Sequence, residues 1–225
     1  SHKIDNYPGF EDGIDGFTLA QKMESQALRF GAAVELAEVR AVDLSSNPKV
    51  LQSSEGTFYG KTVVIATGAV PRTLGLPEEQ ALTGRGLHYC AACDGMFYRG
   101  KTVVVVGGGN SAAADALLLS RVAKKVIVVH RRDTLRAEKI YHEPLKNAKN
   151  VEFRWNSEAV RFPHGDRLTG IGIRNKLSGT EEEIPCDGVF ISVGRRPATT
   201  LFEGQLKLDE QGYLVADETT ATELP

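Results

Sequence analysis

Two cysteines separated by two residues, Cys90 and Cys93, are the side chains of this sequence best suited to redox chemistry. The Cys-x-x-Cys spacing lets both sulfurs close into a small, reducible ring, and Asp94 follows directly as a possible proton donor or acceptor. We place the pair on a turn or at the start of a helix, where the helix N-terminus favours the thiolate. The alternatives are two inert thiols or a zinc site. Structural zinc needs four ligands and only His88 and Cys186 could join, so we predict no metal, and we expect Cys186 to be a buried apolar residue.

A glycine-rich turn follows the cysteine pair. The apolar run Val103–Val106 leads straight into the sequence GGGNSA, which fits the pattern G-x-G-x-x-A. In a dinucleotide site the first glycine permits the tight turn, the second lets the backbone approach a pyrophosphate, and the small sixth residue lets helix and strand pack closely. The helix N-terminus would then present free N–H groups to the phosphates. A strand before the turn, a helix after it and a second strand ending about 20 residues on supply the required context, against the alternative of a plain glycine turn. We predict cofactor contacts from Gly107, Gly109, Asn110, Ser111 and Ala112.

The end of the second strand, predicted at Lys125–Val129, distinguishes between the two pyridine dinucleotides. An NAD site usually places an acid there to hold the ribose 2′-hydroxyl. Here the strand is followed by His130, Arg131 and Arg132, with Arg136 one turn further on. Guanidinium groups suit a phosphate, which an acid would repel, so we predict NADPH. The alternatives are a solvated helix start for the arginines and a polar strand cap for His130.

The elements that must position these residues alternate between strands and helices, which predicts an α/β fold. Periodicity predicts an amphipathic helix over Phe17–Phe30 and another helix over Asn110–Val122. Continuous β-branched runs predict buried strands at Lys61–Ala66, Lys101–Val106, Lys125–Val129 and Gly188–Val193. Between Val151 and Ile184 we expect several short antiparallel strands, and over Leu206–Val215 a strand or two.

Composition and charge limit the class of protein. The 225 residues are 41% hydrophobic and 25% charged, which suits one large domain or two modest ones. No run approaches the roughly 20 apolar residues of a membrane helix, and nothing near Ser1 looks like a signal peptide, so we expect no membrane partner and a cytoplasmic location. Residues 121–149 carry nine Lys or Arg against three acids, a net charge of +6, which leaves −8 on the remainder. Such a local patch favours a small anionic ligand over nucleic acid.

Taken together, these motifs closely resemble the low-molecular-weight thioredoxin reductase family. The resemblance runs nearly end to end and is carried by Asn6–Gly9 (NYPG), Ile65–Ala69 (IATGA), Cys90–Gly95 (CAACDG), Gly107–Ala112, His130–Asp133 with Arg136, and Phe202–Leu206 (FEGQL). It implies a Rossmann-like NADPH-binding domain, with the redox disulfide on it, inserted into an FAD-binding domain of the same superfamily. The expected boundaries are residues 1–81 for a partial FAD domain, 82–205 for the NADPH domain and 206–225 for the return.

The resemblance also implies a path for the electrons. Hydride passes from NADPH to FAD, and electrons then pass to the disulfide and on to thioredoxin. By this resemblance Cys93 faces the flavin, Cys90 attacks the thioredoxin disulfide and Asp94 handles protons. Asn6, Thr67 and Gly68 resemble flavin-domain contacts. The family is typically homodimeric, and it rotates its NADPH domain about hinges that would fall near residues 80–84 and 202–206.

The sequence departs from the family at both ends. The family begins with a strand and a G-x-G-x-x-G for the FAD pyrophosphate, and it ends with a Gly-Asp motif and a helix that hold the flavin. We therefore expect a chain truncated at both termini, with FAD belonging to the longer parent and not stably held by these 225 residues. The alternatives are a flavoprotein subunit that reduces a peroxiredoxin and an NADPH-binding module without turnover. A related dithiol oxidase would have no need of Arg131 and Arg132.

Overall fold

The computed structural model describes residues 3–4 and 7–224, and it divides them into two compact units. One unit comprises residues 71–194, and the other combines the residues up to 70 with those from 195 onward. One unit is thus inserted into the sequence of the other. The boundaries between the two units, at 70/71 and 194/195, lie earlier in the sequence than the expected domain boundaries at 81/82 and 205/206. The assignment of a cofactor to each unit stays a prediction.

The strands and helices are short, and their bounds are as follows. The strands are β1 Lys3–Ile4, β2 Ile14–Asp15, β3 Val39–Asp43, β4 Lys49–Ser53, β5 Gly56–Gly60, β6 Ala69–Pro71, β7 Leu87–His88, β8 Thr102–Val106, β9 Lys125–Val129, β10 Val151–Arg154, β11 Ser157–Arg161, β12 Gly170–Asn175, β13 Glu181–Pro185, β14 Gly188–Ile191 and β15 Arg195–Pro197. The helices are α1 Gly16–Arg29, α2 Glu79–Leu82, α3 Ala91–Asp94, α4 Asn110–Ser120 and α5 Lys139–Asn147, with 3₁₀ turns at Gly95–Tyr98 and Thr200–Phe202.

A five-stranded parallel sheet organises the unit formed by residues 71–194. Its strand order is β10-β9-β8-β14-β7, and every neighbouring pair is parallel. A three-stranded antiparallel sheet, β11-β12-β13, packs on one face, and α4 and α5 cover the other. Parallel strands covered on both faces must be apolar throughout, which explains the unbroken valine run of β8.

The alternation of side chains along β8 divides the core of this unit in two. Val103 and Val105 pack with Ala116 of α4, whereas Val104 and Val106 pack with Ile171 of β12. The first three of these valines are completely buried. Burying each one fully contributes roughly 1.5–3 kcal/mol, so the strand that leads into the glycine turn is held firmly from both faces.

The other unit contains α1, the antiparallel sheet β3-β4-β5, and a small core of Leu44, Phe202 and Leu206. Two two-stranded sheets, β1 with β2 and β6 with β15, complete the sheet topology. Asp15 caps α1, because its Oδ1 accepts hydrogen bonds from the amides of Phe17 and Thr18, each at 3.1 Å. The helix predicted over Phe17–Phe30 is therefore confirmed to within a residue at each end.

Two strand predictions were wrong. Residues 61–66 form no strand, and Val64 is 90% exposed. A buried strand needs hydrogen-bonded neighbours on both edges, and the described part of the chain places none beside this segment. Over Leu206–Val215 the structure has one isolated bridge, between Leu208 and Leu214, and no strand.

The expectation of antiparallel strands from Val151 onward was wrong for the first of them. β10 pairs with β9 in parallel, with Val151 opposite Val126. The reason is α5, a helix that the sequence analysis did not predict and that contains Pro144. A helix between two neighbouring strands returns the chain to its starting edge, which makes the second strand parallel. The strands β11, β12 and β13 are antiparallel, as expected.

Candidate functional site

A cavity of about 830 Å³ lies at the carboxyl ends of β8, β9 and β14. The chain leaves β8 toward β9 on one side, while β14 and β7 lie on the other. Open α/β sheets bind ligands in the crevice where the strand order changes direction in this way. The lining comprises Arg72–Leu74, Val106–Ser111, Val129–Arg131, Arg136, Glu138, Ser157–Ala159 and Ser192–Gly194.

The glycines of the turn after β8 have different reasons for being glycine. A Cβ on Gly107, whose φ is +149°, would lie 2.3 Å from the Ser192 carbonyl oxygen. A Cβ on Gly108 would lie 2.2 Å from Cε1 of His130. A Cβ on Gly109, by contrast, would meet no protein atom within 4 Å. The first two glycines are therefore required by packing, whereas Gly109 leaves its backbone open to the cavity.

Helix α4 begins at the cavity. Its N-cap is Gly109, which has no side chain with which to cap the helix. The first amide groups of a helix lack partners within the helix and carry the positive end of its dipole, so they attract anions. Ser111 lines the cavity at this point, and Ala112 lies fully buried beneath the turn. The turn therefore has the shape and polarity of a phosphate-binding site.

The loop after β9 folds back over this turn and brings basic residues to the cavity. The amides of Arg136 and Ala137 donate to the Gly108 carbonyl, at 2.7 and 3.1 Å. Arg131 and Arg136 belong to the lining, and Arg132 lies outside it. The side chains of Arg131 and Arg136 are exposed and available to a phosphate.

His130 is a buried polar residue of the cavity lining, with 5% of its surface exposed. Among the described residues its Nε2 atom has no hydrogen-bond partner. Burial lowers the pKa of His130, and the charges of Arg136 and Arg132 lower it further, so the ring is neutral near pH 7. A buried nitrogen without a partner, on a residue that lines the crevice, is consistent with a polar ligand, and the residues of this site fit a pyridine dinucleotide.

Two side-chain contacts at the cavity were not predicted from sequence. Asn110 exchanges two hydrogen bonds with Glu138, one to its carboxylate and one from its backbone amide, each 2.8 Å long. Ser192 donates to the Asp115 carboxylate, and burial raises the pKa of Asp115 while that hydrogen bond opposes the rise. The signal for Asp115 is its position as the one acid within the apolar sequence of α4, SAAADALLL.

Cys90 and Cys93 form a disulfide in the same unit as the cavity. Cys90 is the N-cap of α3, and its sulfur accepts a hydrogen bond from the Cys93 amide at 3.1 Å. The pair therefore lies at a helix start, one of the two positions predicted. Cys90 is half-buried and Cys93 is exposed, whereas Cys186 is a free, buried thiol whose pKa burial raises to about 12.

Asp94 is paired with a residue that the sequence analysis weighed only as a zinc ligand. Its Oδ2 lies 3.0 Å from Nδ1 of His88, and the histidine ring is buried. The described residues contain no group of three or more His, Cys, Asp or Glu side chains placed to hold a metal ion. His88 and Asp94 therefore form a hydrogen-bonded pair next to the disulfide in the sequence.

The candidate flavin contacts lie in the other unit. Asn6 falls outside the described residues. Thr67 and Gly68 lie on an exposed segment, where Gly68 has a φ of +67° and its carbonyl accepts from the Ala198 amide. An exposed turn is not an enclosed cradle, so the described residues here do not by themselves fit a flavin.

None of the described helices is long and apolar enough to cross a membrane. Even α1, with 14 residues, is shorter than the roughly 20 residues that a bilayer requires.

A dinucleotide crevice and a Cys-x-x-Cys disulfide in one α/β unit define a class of protein, and comparison with known families agrees with it. The family model described as "Pyridine nucleotide-disulphide oxidoreductase" matches residues 1–225. The chain therefore belongs to the pyridine nucleotide-disulphide oxidoreductase family.

Several of the similar proteins are named thioredoxin reductase. The chain is 45% identical over 223 residues to the thioredoxin reductase of Streptomyces clavuligerus, covering 98% of this chain and 69% of that protein. It is 40% identical to the enzyme of Mycolicibacterium smegmatis, covering 99% of this chain and 72% of that protein. The chain is also similar to the crystal structure of Lactococcus lactis thioredoxin reductase, with a TM-score of 0.80 and 32% identity. That match covers 100% of this chain and 74% of the Lactococcus lactis chain. The predicted resemblance and the predicted Rossmann-like α/β fold are both confirmed.

Proposed function

We propose that this chain is part of an NADPH-dependent flavoprotein that reduces the disulfide of thioredoxin through Cys90 and Cys93. The observation that carries the proposal is the presence, in one unit, of a disulfide at a helix start and a crevice whose lining includes Arg131 and Arg136 beside the glycine turn. Relatives at 40–45% identity named thioredoxin reductase support the choice of substrate.

The crevice would hold NADPH. The open backbone at Gly109 and the first amides of α4 receive the pyrophosphate, with Ser111 beside it. Arg131 and Arg136 bind the 2′-phosphate, while Arg132 adds positive charge from outside the lining. The neutral His130 offers its buried Nε2 to a polar group of the dinucleotide.

The disulfide is the group that the enzyme itself reduces and reoxidises. Bound NADPH and FAD would supply the two electrons needed to open the Cys90–Cys93 bond, and two protons, one of them from solvent, would complete the conversion of the disulfide to two thiols. Cys90 as a thiolate then attacks the thioredoxin disulfide, and Cys93 closes the ring again and releases reduced thioredoxin. Asp94 accepts or donates the proton of the pair, since it follows Cys93 directly and is partly exposed.

The surface beside the disulfide suits a protein substrate. Met96 and Phe97 follow Asp94 in the 3₁₀ turn and are 54% and 72% exposed. Large apolar side chains exposed next to a redox group are a place where a partner protein gains affinity by burying them. We assign this surface, Met96 and Phe97, to thioredoxin docking.

The remaining assignments rest on the family resemblance. They are an NADPH domain at residues 82–205, which overlaps the compact unit of residues 71–194, a flavin domain that includes Asn6, Thr67 and Gly68, a homodimer and a cytoplasmic location. Light scattering on the purified flavoprotein tests the dimer, and its absorbance spectrum tests the flavin.

The deciding experiment measures NADPH oxidation by the FAD-loaded protein with thioredoxin as the acceptor. We expect turnover that is lost in Cys93→Ser, because the ring can no longer close. Turnover with a peroxiredoxin but not with thioredoxin would show that the substrate is a peroxiredoxin and not thioredoxin. NADPH binding without any turnover would reduce the chain to a nucleotide-binding module.

A further inference from the structure

His88 connects the interior of the parallel sheet to the residue that follows the disulfide. It lies on β7 opposite Phe190 of β14, and the two rings stack with centroids 5.2 Å apart. Its Nδ1 lies 3.0 Å from Asp94 Oδ2, and its Nε2 lies 2.6 Å from the Tyr98 hydroxyl. The histidine side chain is 8% exposed and that of Asp94 is 33% exposed. A buried ring thus holds a partly exposed carboxylate.

The direction of these hydrogen bonds follows from the Asp94 carboxylate. A carboxylate can only accept, so Nδ1 of His88 carries the proton and donates it to Asp94. In this tautomer Nε2 is the acceptor of the ring, and the Tyr98 O–H donates to it. Tyr98 and His88 together fix a donor that points at the carboxylate.

The surroundings of this pair are polar and partly open. A cavity of about 410 Å³ borders it, and Arg167 reaches the cavity from the loop before β12. Other titratable or charged groups face the pair or its neighbour Tyr98 from the surrounding elements. They are Tyr89 after β7, Lys101 before β8, Arg167 from the loop before β12, and Asp187 before β14. Tyr89 donates to Glu79 at 2.8 Å and so does not compete for His88.

We propose that His88 is a positioning residue for the proton step at Asp94, an inference that rests on the disulfide chemistry of the proposed function. In the oxidative half of that chemistry Cys90 thiolate attacks a substrate disulfide, forms a mixed disulfide and releases one thiolate. Cys93 then passes its proton to the Asp94 carboxylate, attacks Cys90 Sγ, closes the ring and releases the second thiolate. The His88 N–H, whose nitrogen lies 3.0 Å from Oδ2, holds that carboxylate in one orientation, so that its second oxygen stays free to accept the proton.

Three substitutions at His88 separate this role from packing. His88→Asn loses the ring but keeps a side-chain donor near the Nδ1 position. His88→Gln places its amide near Nε2 and loses the donor to Asp94. His88→Phe keeps the stacking on Phe190 and loses both nitrogens. Tyr98→Phe is a further variant that releases the Nε2 contact without altering His88.

The assay needs neither flavin nor thioredoxin. Each protein is reduced with excess dithiol, freed of it, and mixed with an aromatic disulfide that releases a coloured thiolate. Stopped-flow absorbance follows the second thiolate, which reports ring closure, from about pH 5 to 9. Because NADPH turnover is not measured, loss of the proposed function would appear in a different experiment from loss of this one.

We expect ring closure at pH 7 to slow roughly tenfold in His88→Gln and His88→Phe, and the pH midpoint of its rate to rise by about one unit. The midpoint stays in place in His88→Asn and shifts part of the way in Tyr98→Phe. In an Asp94→Asn background, His88→Gln should cause no further slowing, since the two residues act through one another. Equal slowing of ring closure in all three His88 variants, with an unchanged pH midpoint, would show that His88 acts only through packing. Unchanged rates of ring closure would show that His88 takes no part in the reaction. Either result overturns the proposal.

Discussion

Replacing Arg131 and Arg136 together by alanine should convert the crevice from one that prefers NADPH into one that treats NADPH and NADH alike. These two guanidinium groups belong to the cavity lining. The loop that carries Arg136 is held to the glycine turn by hydrogen bonds from its backbone to Gly108, so the truncation leaves the loop in place. The change therefore removes charge and donors without moving the pyrophosphate site.

The size of the effect follows from the exposure of the two side chains. A hydrogen bond between charged groups contributes about 1.5–3 kcal/mol when buried, and both arginines are exposed, so we take about 1–1.5 kcal/mol for each. The pair then contributes about 2–3 kcal/mol, which weakens NADPH binding roughly 30- to 150-fold. NADH lacks the 2′-phosphate, and its Kd should change by no more than about twofold.

Titration of NADPH and NADH by calorimetry, at several salt concentrations, measures both effects. Binding of NADPH to the native protein should weaken as salt rises, and this dependence should flatten in the double variant. Lys124→Ala with Lys146→Ala is the matched control, because it removes two exposed charges from the same basic segment outside the cavity. An unchanged NADPH to NADH ratio in the arginine variant, or an equal loss in the lysine control, would refute the assignment.

Three further predictions concern the same unit. Gly108→Ala should lower the free energy of unfolding, measured by denaturant titration, by about 1–3 kcal/mol, because the added Cβ would collide with His130. Gly109→Ala should change the free energy of unfolding by no more than about 0.5 kcal/mol and still weaken NADPH binding. Equal losses of stability in the two variants would contradict the separate roles of the two glycines. Cys93→Ser should abolish thioredoxin reduction and change the Kd for NADPH by no more than about twofold. A large loss of NADPH affinity in this variant would instead show that the disulfide contributes to dinucleotide binding. Burial lowers the pKa of His130 in the folded protein below its ordinary 6.5, so below that pH the unfolded chain binds a proton that the folded chain does not. The free energy of unfolding should therefore fall as the pH drops through about 6.5, and His130→Gln should remove that contribution. An unaltered pH dependence of stability in the variant would show that His130 does not supply it.

The parts of the fold that sequence predicted are those that a few consecutive residues decide. The glycine turn and α4 after β8 were predicted because steric limits at Gly107 and the valine run before it act over only a few residues. The strand at Lys125–Val129 was predicted to the residue for the same reason. Residues 61–66 have an equally strong β pattern and yet form no strand, because a strand exists only beside another strand.

The candidate site was predictable in its residue types but not in its contacts. By itself the sequence determined a reducible cysteine pair, a glycine turn before a helix and a basic loop, since each is a local arrangement of a few residues. Only the tertiary structure decided that His88 meets Asp94 and that Asp115 meets Ser192. The Asp115–Ser192 contact joins residues 77 positions apart and depends on β14 lying beside β8. His88 and Asp94 are close in sequence, but the position of His88 depends on β7 pairing with β14 at the edge of the sheet. Strand order is set by the burial of both faces of the whole sheet, and no short segment of the sequence contains that information.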